Sequence, residues 1–337
     1  MKRHARRSRH EGLTPTSHED VAVLFELLCE SMRGEIVGCD SEIERLALLG
    51  VRHLARNFTG DDVLLRALLT GPHGSGKSSL AWVFAESMGL PYVNIPGSAM
   101  AEMNWSGSDL GDFLSVLYHA GPVSLDPVEA AELIERAVVV VDDLDALRLP
   151  GRYGSASSRD YQLGRQECLR PLMDGGVIPI ERGSTSMFWP SRRALVIGCG
   201  SFDGLGPVAP SAEDLIDWGM IPPLADRLCA GTVLRLREAA AFDLVEILRK
   251  NVSVPGTAFL AFGYSLSVSQ EVLTFVAESI RDGARLSGVR SAIACIASSA
   301  EQVLIGMIRD RAPVGSHHVL APDDIYLPHL SLGLWRD

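Results

Sequence analysis

The first two thirds of the chain alternate short apolar runs with longer segments of helical spacing. Residues 137–141 include four valines in a row without polar alternation, which is typical of a strand buried on both faces. Similar runs occupy residues 64–70, 91–95, 194–199 and 232–236. Because helical stretches separate the five runs, the pattern predicts an α/β fold with an open, mostly parallel five-stranded sheet and helices on both faces.

The strand pattern fades after Arg237, and the remaining periodic segments, residues 238–250, 268–282 and 285–308, all have helical spacing. We therefore predict a large α/β domain over residues 21–237 and a smaller α-helical domain over residues 238–320. Residues 1–20 are predicted to form a basic and polar disordered tail, and residues 321–337 a C-terminal tail.

The charge of the chain is unevenly distributed. The net charge is −11, and because the first ten residues carry five cations, the rest of the chain carries −16. An acidic body disfavours the phosphate backbone of a nucleic acid as the main partner. The basic start could still contact RNA, DNA or an acidic protein, or remain a solvated end.

Hydropathy and cysteine spacing bear on the compartment. No run approaches the ~18 uncharged apolar residues that a membrane span requires, and no apolar segment follows the basic start as in a secretory signal. The six cysteines are scattered without the spacing of a zinc site, which indicates small buried side chains in a reducing compartment. We expect a cytoplasmic protein without a membrane partner.

A phosphate-binding pattern, G-x-x-x-x-G-K-[ST], lies between the first predicted strand and the helix after it. Glycines let backbone N–H groups turn towards a phosphate, and the amino end of the helix adds positive potential. Lys77 is predicted to reach the β- and γ-phosphate oxygens, and the Ser78 hydroxyl to ligate Mg²⁺. The predicted nucleotide-binding residues of this loop are Gly71, Gly74, Ser75, Gly76, Lys77, Ser78 and Ser79.

An acidic pair follows the valine strand. Asp142 is predicted to hold Mg²⁺, and Asp143 to orient and deprotonate an attacking water. A strand running into an ordinary polar turn is the alternative.

These features together resemble the AAA+ ATPases, and more narrowly the ATPase core of ClpX-type protein unfoldases, over about residues 34–308. The most specific match is residues 213–228, which read Glu-Asp-Leu-Ile-Asp-Trp-Gly-Met-Ile-Pro-Pro-Leu-Ala-Asp-Arg-Leu. Four further segments are similar to the family's adenine-contacting segment, acidic strand end, following helix and sensor segment, namely residues 36–38, 141–145, 164–175 and 197–202.

The resemblance implies ATP and Mg²⁺ as ligands, with Ile36 and Val37 beside the adenine. It implies that Arg227 is the arginine finger offered to the ATP of a neighbouring subunit. Arg285 corresponds to the second sensor, with Arg290 as the alternative. Trp105, flanked by small residues on a predicted loop, corresponds to the family's pore-facing aromatic that grips a polypeptide; packing beneath the loop is the alternative.

Several positions depart from the family pattern. Asp143 stands where the family has a glutamate, so the base is set back by about 1.5 Å and hydrolysis is expected to be slow. Residues 204–212 are too short to hold the family's peptidase-docking loop, and the tripeptide at residues 332–334 has similar chemistry in another place. The family's N-terminal zinc-binding module has no counterpart in this sequence.

We therefore expect an ATP hydrolase that forms a homohexamer or a mixed ring and unfolds or remodels a protein client without docking onto a peptidase. The first alternative is a low-turnover, ATP-dependent switch or scaffold that regulates a partner complex. The second is a DNA-directed motor of the same superfamily, which the acidic body disfavours.

Overall fold

The computed structural model describes residues 17–56, 63–102, 110–119, 127–150, 156–182, 185–251, 259–282 and 288–325. The chain divides into two compact units, Met1–Arg237 and Glu238–Asp337.

The first unit is built on a five-stranded sheet in which every neighbouring pair of strands is parallel. Its strands are β1 (Leu65–Thr70), β2 (Tyr92–Pro96), β3 (Val138–Asp142), β6 (Leu195–Gly200) and β7 (Thr232–Arg235). They lie side by side in the order β2-β3-β6-β1-β7. The predicted α/β fold and the five predicted strands are confirmed, with bounds that differ by at most one residue at an end.

Helices cover both faces of this sheet. Val138 and Val140 of β3 join one apolar core and Val139 and Val141 join the other, because successive side chains of a strand point to opposite faces. Both faces are buried, which explains why the strand sequences do not alternate with polar residues. The described helices of this unit are α1 (His18–Glu35), α2 (Asp40–Leu54), α3 (Lys77–Ser87), α4 (Gly97–Glu102), α5 (Leu110–His119), α6 (Pro127–Glu135), α7 (Ala156–Cys168), α8 (Arg170–Asp174), α9 (Ala212–Trp218) and α10 (Pro222–Cys229).

A hairpin that the sequence pattern did not predict follows α8. Strands β4 (Val177–Arg182) and β5 (Thr185–Pro190) pair antiparallel. Trp189 is fully buried, and its Nε1 donates a hydrogen bond to the Ile134 carbonyl oxygen at 3.0 Å. The hairpin was missed because its apolar positions form two runs, residues 177–180 and 187–189, that are shorter than those of the large sheet.

The first helix begins earlier than predicted. Ser17 caps α1: its hydroxyl accepts from the Asp20 N–H at 3.1 Å, and the Asp20 carboxylate accepts from the Ser17 N–H at 2.9 Å. The predicted tail boundary at residue 20 is therefore wrong, since residues 18–20 are helical.

The second unit contains helices α11 (Ala241–Asn251), α12 (Gln270–Arg281) and α13 (Val289–Arg309). It also contains two short parallel strands, β8 (Ser265–Val268) and β9 (His317–Leu320). The three helices agree with the predicted smaller helical domain, and the two strands are an addition that the sequence pattern did not predict. Both strands are only partly buried and rich in serine or histidine, so neither has the apolar run that marks the strands of the large sheet. Likewise, residues 322–324 of the predicted C-terminal tail form a 3₁₀ turn.

One helix of the second unit, which contains Arg290, Glu301 and Arg309, has the length of a membrane-spanning segment. By length and composition alone, α13 is apolar enough to cross a membrane. Its Ala292, Ile296 and Ala300 are buried in the apolar clusters of this unit. Core helices of soluble proteins pass the same test, so the segment is weak evidence for a membrane span.

Candidate nucleotide site

The loop between β1 and α3 has the backbone conformation that its glycines predict. Gly71, Gly74 and Gly76 have φ values of 144°, 79° and 89°, a region that side chains other than glycine rarely adopt. A Cβ atom on Gly71 would lie 2.5 Å from the Leu236 carbonyl oxygen. The loop is therefore a compact turn at the carboxyl end of the sheet, and it leads directly into the amino end of α3.

Lys77 is the first residue of α3 and is buried, with 8% of its surface exposed. Its Nζ donates hydrogen bonds to the carbonyl oxygens of Gly71 and Pro72, both at 2.8 Å. Burial lowers the pKa of Lys77, and the charges of Asp145, Asp142 and Asp203 oppose that change. The ammonium group thus lies within the loop, at the point where a bound phosphate chain would need a cation.

Ser78 and Asp142 meet across this site. The Ser78 Oγ donates a hydrogen bond to Asp142 Oδ1 at 2.9 Å, although 64 residues separate them in the chain. A hydroxyl and a carboxylate are ligands that Mg²⁺ accepts, and Mg²⁺ in nucleotide sites is held by few protein groups together with phosphates and water. The buried Ser75 Oγ has no hydrogen-bond partner within the described structure. The residues present therefore fit a nucleotide with its magnesium ion.

Asp143 follows the strand in a left-handed conformation, with φ at 53°. Aspartate tolerates this region better than most residues. Burial raises the pKa of the Asp143 carboxyl, and the nearby Asp142 and Asp145 carboxylates add to that rise. The main chain around it is closely packed, since a Cβ on Gly97 would lie 2.5 Å from the Asp143 carbonyl oxygen. Sequence reasoning did not single out Gly97, whose role depends on this close approach.

The segment after β6 is joined to the acidic strand. Ser201 donates to both carboxylate oxygens of Asp145, from its hydroxyl at 2.7 Å and from its N–H at 3.1 Å. On the phosphate loop, His73 Nε2 lies 3.3 Å from Asp203 Oδ2. Asp145 and Ser201 stood inside predicted segments without an assigned role, because only the fold shows that the two strand ends are adjacent.

Arg227 lies at the edge of the sheet opposite the glycine loop, where the strands begin. It is on α10, which leads into the amino end of β7, and its charge acts on Arg66 at the amino end of β1. The Arg227 Nε lies 2.5 Å from Asp174 Oδ1, and its Nη1 donates to the Pro223 carbonyl oxygen at 3.2 Å. The phosphate loop follows the carboxyl end of β1, so the length of that strand separates Arg227 from the phosphate loop of its own chain.

Of the remaining predicted site residues, some lie in the part of the chain that the structure describes and two do not. Ile36 and Val37 lie between α1 and α2, and both are half-buried. Ile36 packs against the apolar core that also contains residues of α3. Arg290 is the second residue of α13 in the second unit. Trp105 and Arg285 lie outside the described residues, in the gaps 103–109 and 283–287. Ser79 belongs to the first turn of α3.

Comparisons with known proteins agree with this geometry. The family model described as the ATPase family associated with various cellular activities (AAA) matches residues 67–200. That stretch begins in β1 and ends with β6, so it contains the phosphate loop and the acidic strand end.

Three curated relatives are ATP-binding subunits named ClpX of ATP-dependent Clp proteases. ClpX 2 of Wolinella succinogenes is 25% identical over 240 residues, covering 63% of this chain and 57% of that protein. ClpX of Borrelia duttonii is 26% identical over 256 residues, with the same coverage, and ClpX of Bacteroides fragilis is 22% identical over 309 residues, covering 77% and 72%. The chain thus spans little more than half the length of the first two relatives.

The parallel sheet, the glycine loop with its buried lysine, the acidic strand end and the family match lead to one assignment. Residues 67–200 match the AAA family model, and the chain resembles the AAA+ ATPases of the P-loop class and, within them, the ClpX-type ATP-binding subunits.

Proposed function

We propose that the chain hydrolyses ATP within a ring, either a homohexamer or a mixed ring, and uses that cycle to unfold or remodel a protein client. The observation that carries the proposal is the division of the site between the two edges of the sheet. Lys77, Ser78 and Asp142 lie together at one edge, and Arg227 lies at the other. A site divided in this way is complete only when a second chain supplies the arginine.

The residues at the carboxyl edge have distinct proposed roles. Bound Mg²⁺ would neutralise charge on the phosphates. Ser78 and Asp142 hold that ion, Lys77 meets the phosphate oxygens, and the loop N–H groups orient them. Asp143 orients the attacking water and accepts its proton, from a side chain one methylene shorter than glutamate. Ile36 and Val37 line the adenine side.

Arg227 is proposed to act on the site of a neighbouring chain. Six strand residues at about 3.3 Å each separate the two edges by about 20 Å, which is more than an arginine side chain can span. The Asp174 contact is half exposed and holds the side chain in place without burying it. The arginine is therefore available for a contact with another subunit.

Mixing two inactive variants tests this proposal. Arg227→Ala chains keep an intact base, and Asp143→Asn chains keep an intact arginine. In co-assembled mixtures we expect ATP hydrolysis to recover in part, because some interfaces combine the two intact groups. Native mass spectrometry would establish that the variants co-assemble. If such mixtures stay inactive, the site is completed within one chain and the proposal is wrong.

The slow-turnover alternative has an observation of its own. Asp143 has a side chain one methylene shorter than the glutamate of the family pattern, which sets its carboxylate back from an attacking water by about 1.5 Å. If the chain is an ATP-dependent switch or scaffold, purified protein should bind ATP stoichiometrically and turn it over barely. Asp143→Glu should then raise the rate by restoring reach, whereas Asp143→Asn should trap ATP.

The client contact is proposed to involve Trp105. Trp105→Ala should leave basal ATP hydrolysis largely intact and abolish its stimulation by a client protein, and Trp105→Tyr should retain much of it. If the tryptophan packs in a core instead, the alanine variant should lose about 3–5 kcal/mol of stability. A thermally stable alanine variant with full client remodelling would refute the threading role.

The remaining features of the proposal concern partners and compartment. We propose a cytoplasmic protein that does not dock onto a peptidase, because residues 204–212 are short for the family's docking loop. The acidic body of the chain argues against nucleic acid as the partner, and a salt-dependent DNA-binding measurement tests that point. Arg285, or alternatively Arg290, is proposed to couple the nucleotide to the angle between the domains.

A further inference from the structure

A buried glutamine on α7 joins two parts of the first unit that are distant in sequence. Gln166 is 0% exposed, and its Nε2 donates to the Leu147 carbonyl oxygen at 2.8 Å and to the Gly219 carbonyl oxygen at 3.0 Å. Its Oε1 accepts a hydrogen bond from the Ile221 N–H at 2.7 Å. Both amide hydrogens are used as well as the oxygen, so the side chain is held in one orientation.

The backbone groups that Gln166 contacts belong to the two halves of the proposed site. Leu147 ends the 3₁₀ turn that begins directly after Asp143. Gly219 and Ile221 lie in the turn between α9 and α10, and α10 carries Arg227. The glutamine therefore ties the start of the arginine-bearing helix to the 3₁₀ turn that follows the acidic strand.

Other contacts restrain the same turn. Arg148 Nε donates to the Trp218 carbonyl oxygen at 2.7 Å, and the guanidinium carbon lies 4.7 Å from the centre of the Trp218 ring. The Leu149 N–H donates to the Gly219 carbonyl oxygen at 3.0 Å. Gly219 has φ at 124°, and a Cβ there would lie 3.0 Å from Arg148 Cγ. The turn therefore has little room to shift.

The far end of α10 is held by the same pair of helices. Asp174, the last residue of α8, pairs with Arg227, and α8 begins four residues after Gln166. Consecutive helices α7 and α8 thus hold α10 at its first turn, through Gln166, and near its last turn, through Asp174.

We propose that Gln166 is a positioning residue for Arg227, which sets where this chain presents the arginine to a neighbouring subunit. The proposal rests on the function proposed above. Without the amide, the Leu147 and Gly219 carbonyls and the Ile221 N–H each lose a buried hydrogen bond, and the turn before α10 loses part of its restraint. Because a displacement of about 1 Å can cost about 10²-fold in rate, the consequence should be kinetic.

The two-variant mixture gives a test that a general folding role would not pass. Gln166→Leu is combined in one experiment with Asp143→Asn, in the chain that supplies Arg227 to its neighbour. In the other it is combined with Arg227→Ala, in the chain that supplies the intact base. We expect recovered ATP hydrolysis to fall about 10²-fold in the first placement. In the second placement most of the recovered activity should remain, since the arginine of that chain is already absent.

Gln162→Leu, placed in the same two ways, is the matched control. It lies one turn earlier on α7, and its buried Oε1 makes no hydrogen bond within the described structure. We expect it to leave recovery unchanged in both placements. Equal losses from Gln166→Leu in both placements, or no loss in either, would overturn the positioning role. Failure of the parent mixture to recover would instead refute the shared site, and the role of Gln166 with it.

Discussion

The large sheet has a carboxyl edge, where its strands end, and an amino edge, where they begin. Basic side chains at these two edges have opposite electrostatic surroundings. At the carboxyl edge, Lys77 is a single buried cation whose charged neighbours, Asp142 and Asp145 among them, favour its protonated form. At the amino edge, His53 is fully buried among Arg56, Arg136 and Arg193, and all three favour its neutral form. The first edge suits a bound cation and a phosphate chain, whereas the second suits neutral groups and backbone carbonyls.

This difference separates the carboxyl edge, which suits the binding of a ligand, from the amino edge, where buried side chains support the main chain. Two buried side chains of the amino edge are directed at main-chain oxygens: Arg136 Nη2 donates to the Leu54 carbonyl oxygen at 3.2 Å, and His53 Nε2 donates to the Arg136 carbonyl oxygen at 2.8 Å. The first carbonyl belongs to the last residue of α2 and the second to the residue after α6, where helix ends leave carbonyl groups without intrahelical partners.

Arg227 and Arg193 differ from these two groups, because each is about a third exposed and paired with a carboxylate, Arg227 with Asp174 and Arg193 with Glu135. The Arg227 side chain therefore stays accessible for the contact with another chain proposed above.

The largest effect is expected from the cation of the carboxyl edge. Lys77→Ala removes the positive charge within the phosphate loop, so ATP binding should be lost or severely weakened while the far-UV circular dichroism stays unchanged. Isothermal titration with ATP measures this. Lys250→Ala, an exposed lysine on α11, is the matched control and should bind ATP as the wild type does. Unchanged affinity in a folded Lys77→Ala protein would mean that this loop does not bind the phosphates.

Removing Arg227 from the amino edge should have the next largest effect, which is a decrease in the rate of ATP hydrolysis. Arg227→Ala is expected to lower ATP hydrolysis about 10³- to 10⁵-fold with little change in ATP affinity. Steady-state hydrolysis and a nucleotide titration separate the two quantities. Arg170→Ala removes another partly exposed arginine paired with a carboxylate, that of Glu167, and should have little effect. Comparable losses from both variants would remove the distinction between the edges.

The neutral histidine of the amino edge predicts a pH effect on stability. Burial first, and the three arginines next, lower the pKa of His53 to about 3 from its ordinary value of 6.5. The folded state therefore binds fewer protons than the unfolded chain below pH 6.5, and stability falls as the pH drops towards 3. At pH 5 the loss in unfolding free energy should be about 2 kcal/mol.

Urea unfolding at several pH values measures this dependence. His53→Gln keeps an N–H donor for the Arg136 carbonyl and should remove most of the slope between pH 6.5 and 4.5. His317→Gln changes an exposed histidine of β9 and should keep the slope. A slope that survives in His53→Gln would mean that other groups cause the acid sensitivity.

The smallest effect is expected from the partner of Arg227. Asp174→Asn removes a half-exposed ion pair, and such pairs contribute about 0–1 kcal/mol to stability. The melting temperature should therefore hardly change, and ATP hydrolysis should fall far less than in Arg227→Ala, because Gln166 still holds the start of α10. A loss as large as that of Arg227→Ala would show that Asp174, rather than Gln166, positions the arginine.

Several elements were accessible from the sequence because their signals are local. The five strands of the large sheet are apolar runs that need burial on both faces, and the phosphate loop is a fixed spacing of glycines and lysine. By contrast, β8 and β9 were missed because each is short and partly exposed, and the pairing of one with the other satisfies their backbone groups. The β4–β5 hairpin was missed for a similar reason, since its burial depends on the core into which Trp189 packs.

The sequence by itself determined the fold class and the order of the elements, and it predicted the residues that would meet a phosphate chain, because hydrophobic period and glycine spacing act over a few residues. Only the tertiary structure decided which distant groups meet: Ser78 with Asp142, Asp145 with Ser201, and Gln166 with the turn before α10. It also decided that Arg227 and Lys77 lie at opposite edges of one sheet. Such pairings depend on strand order, which the packing of the whole sheet sets and which no local pattern encodes.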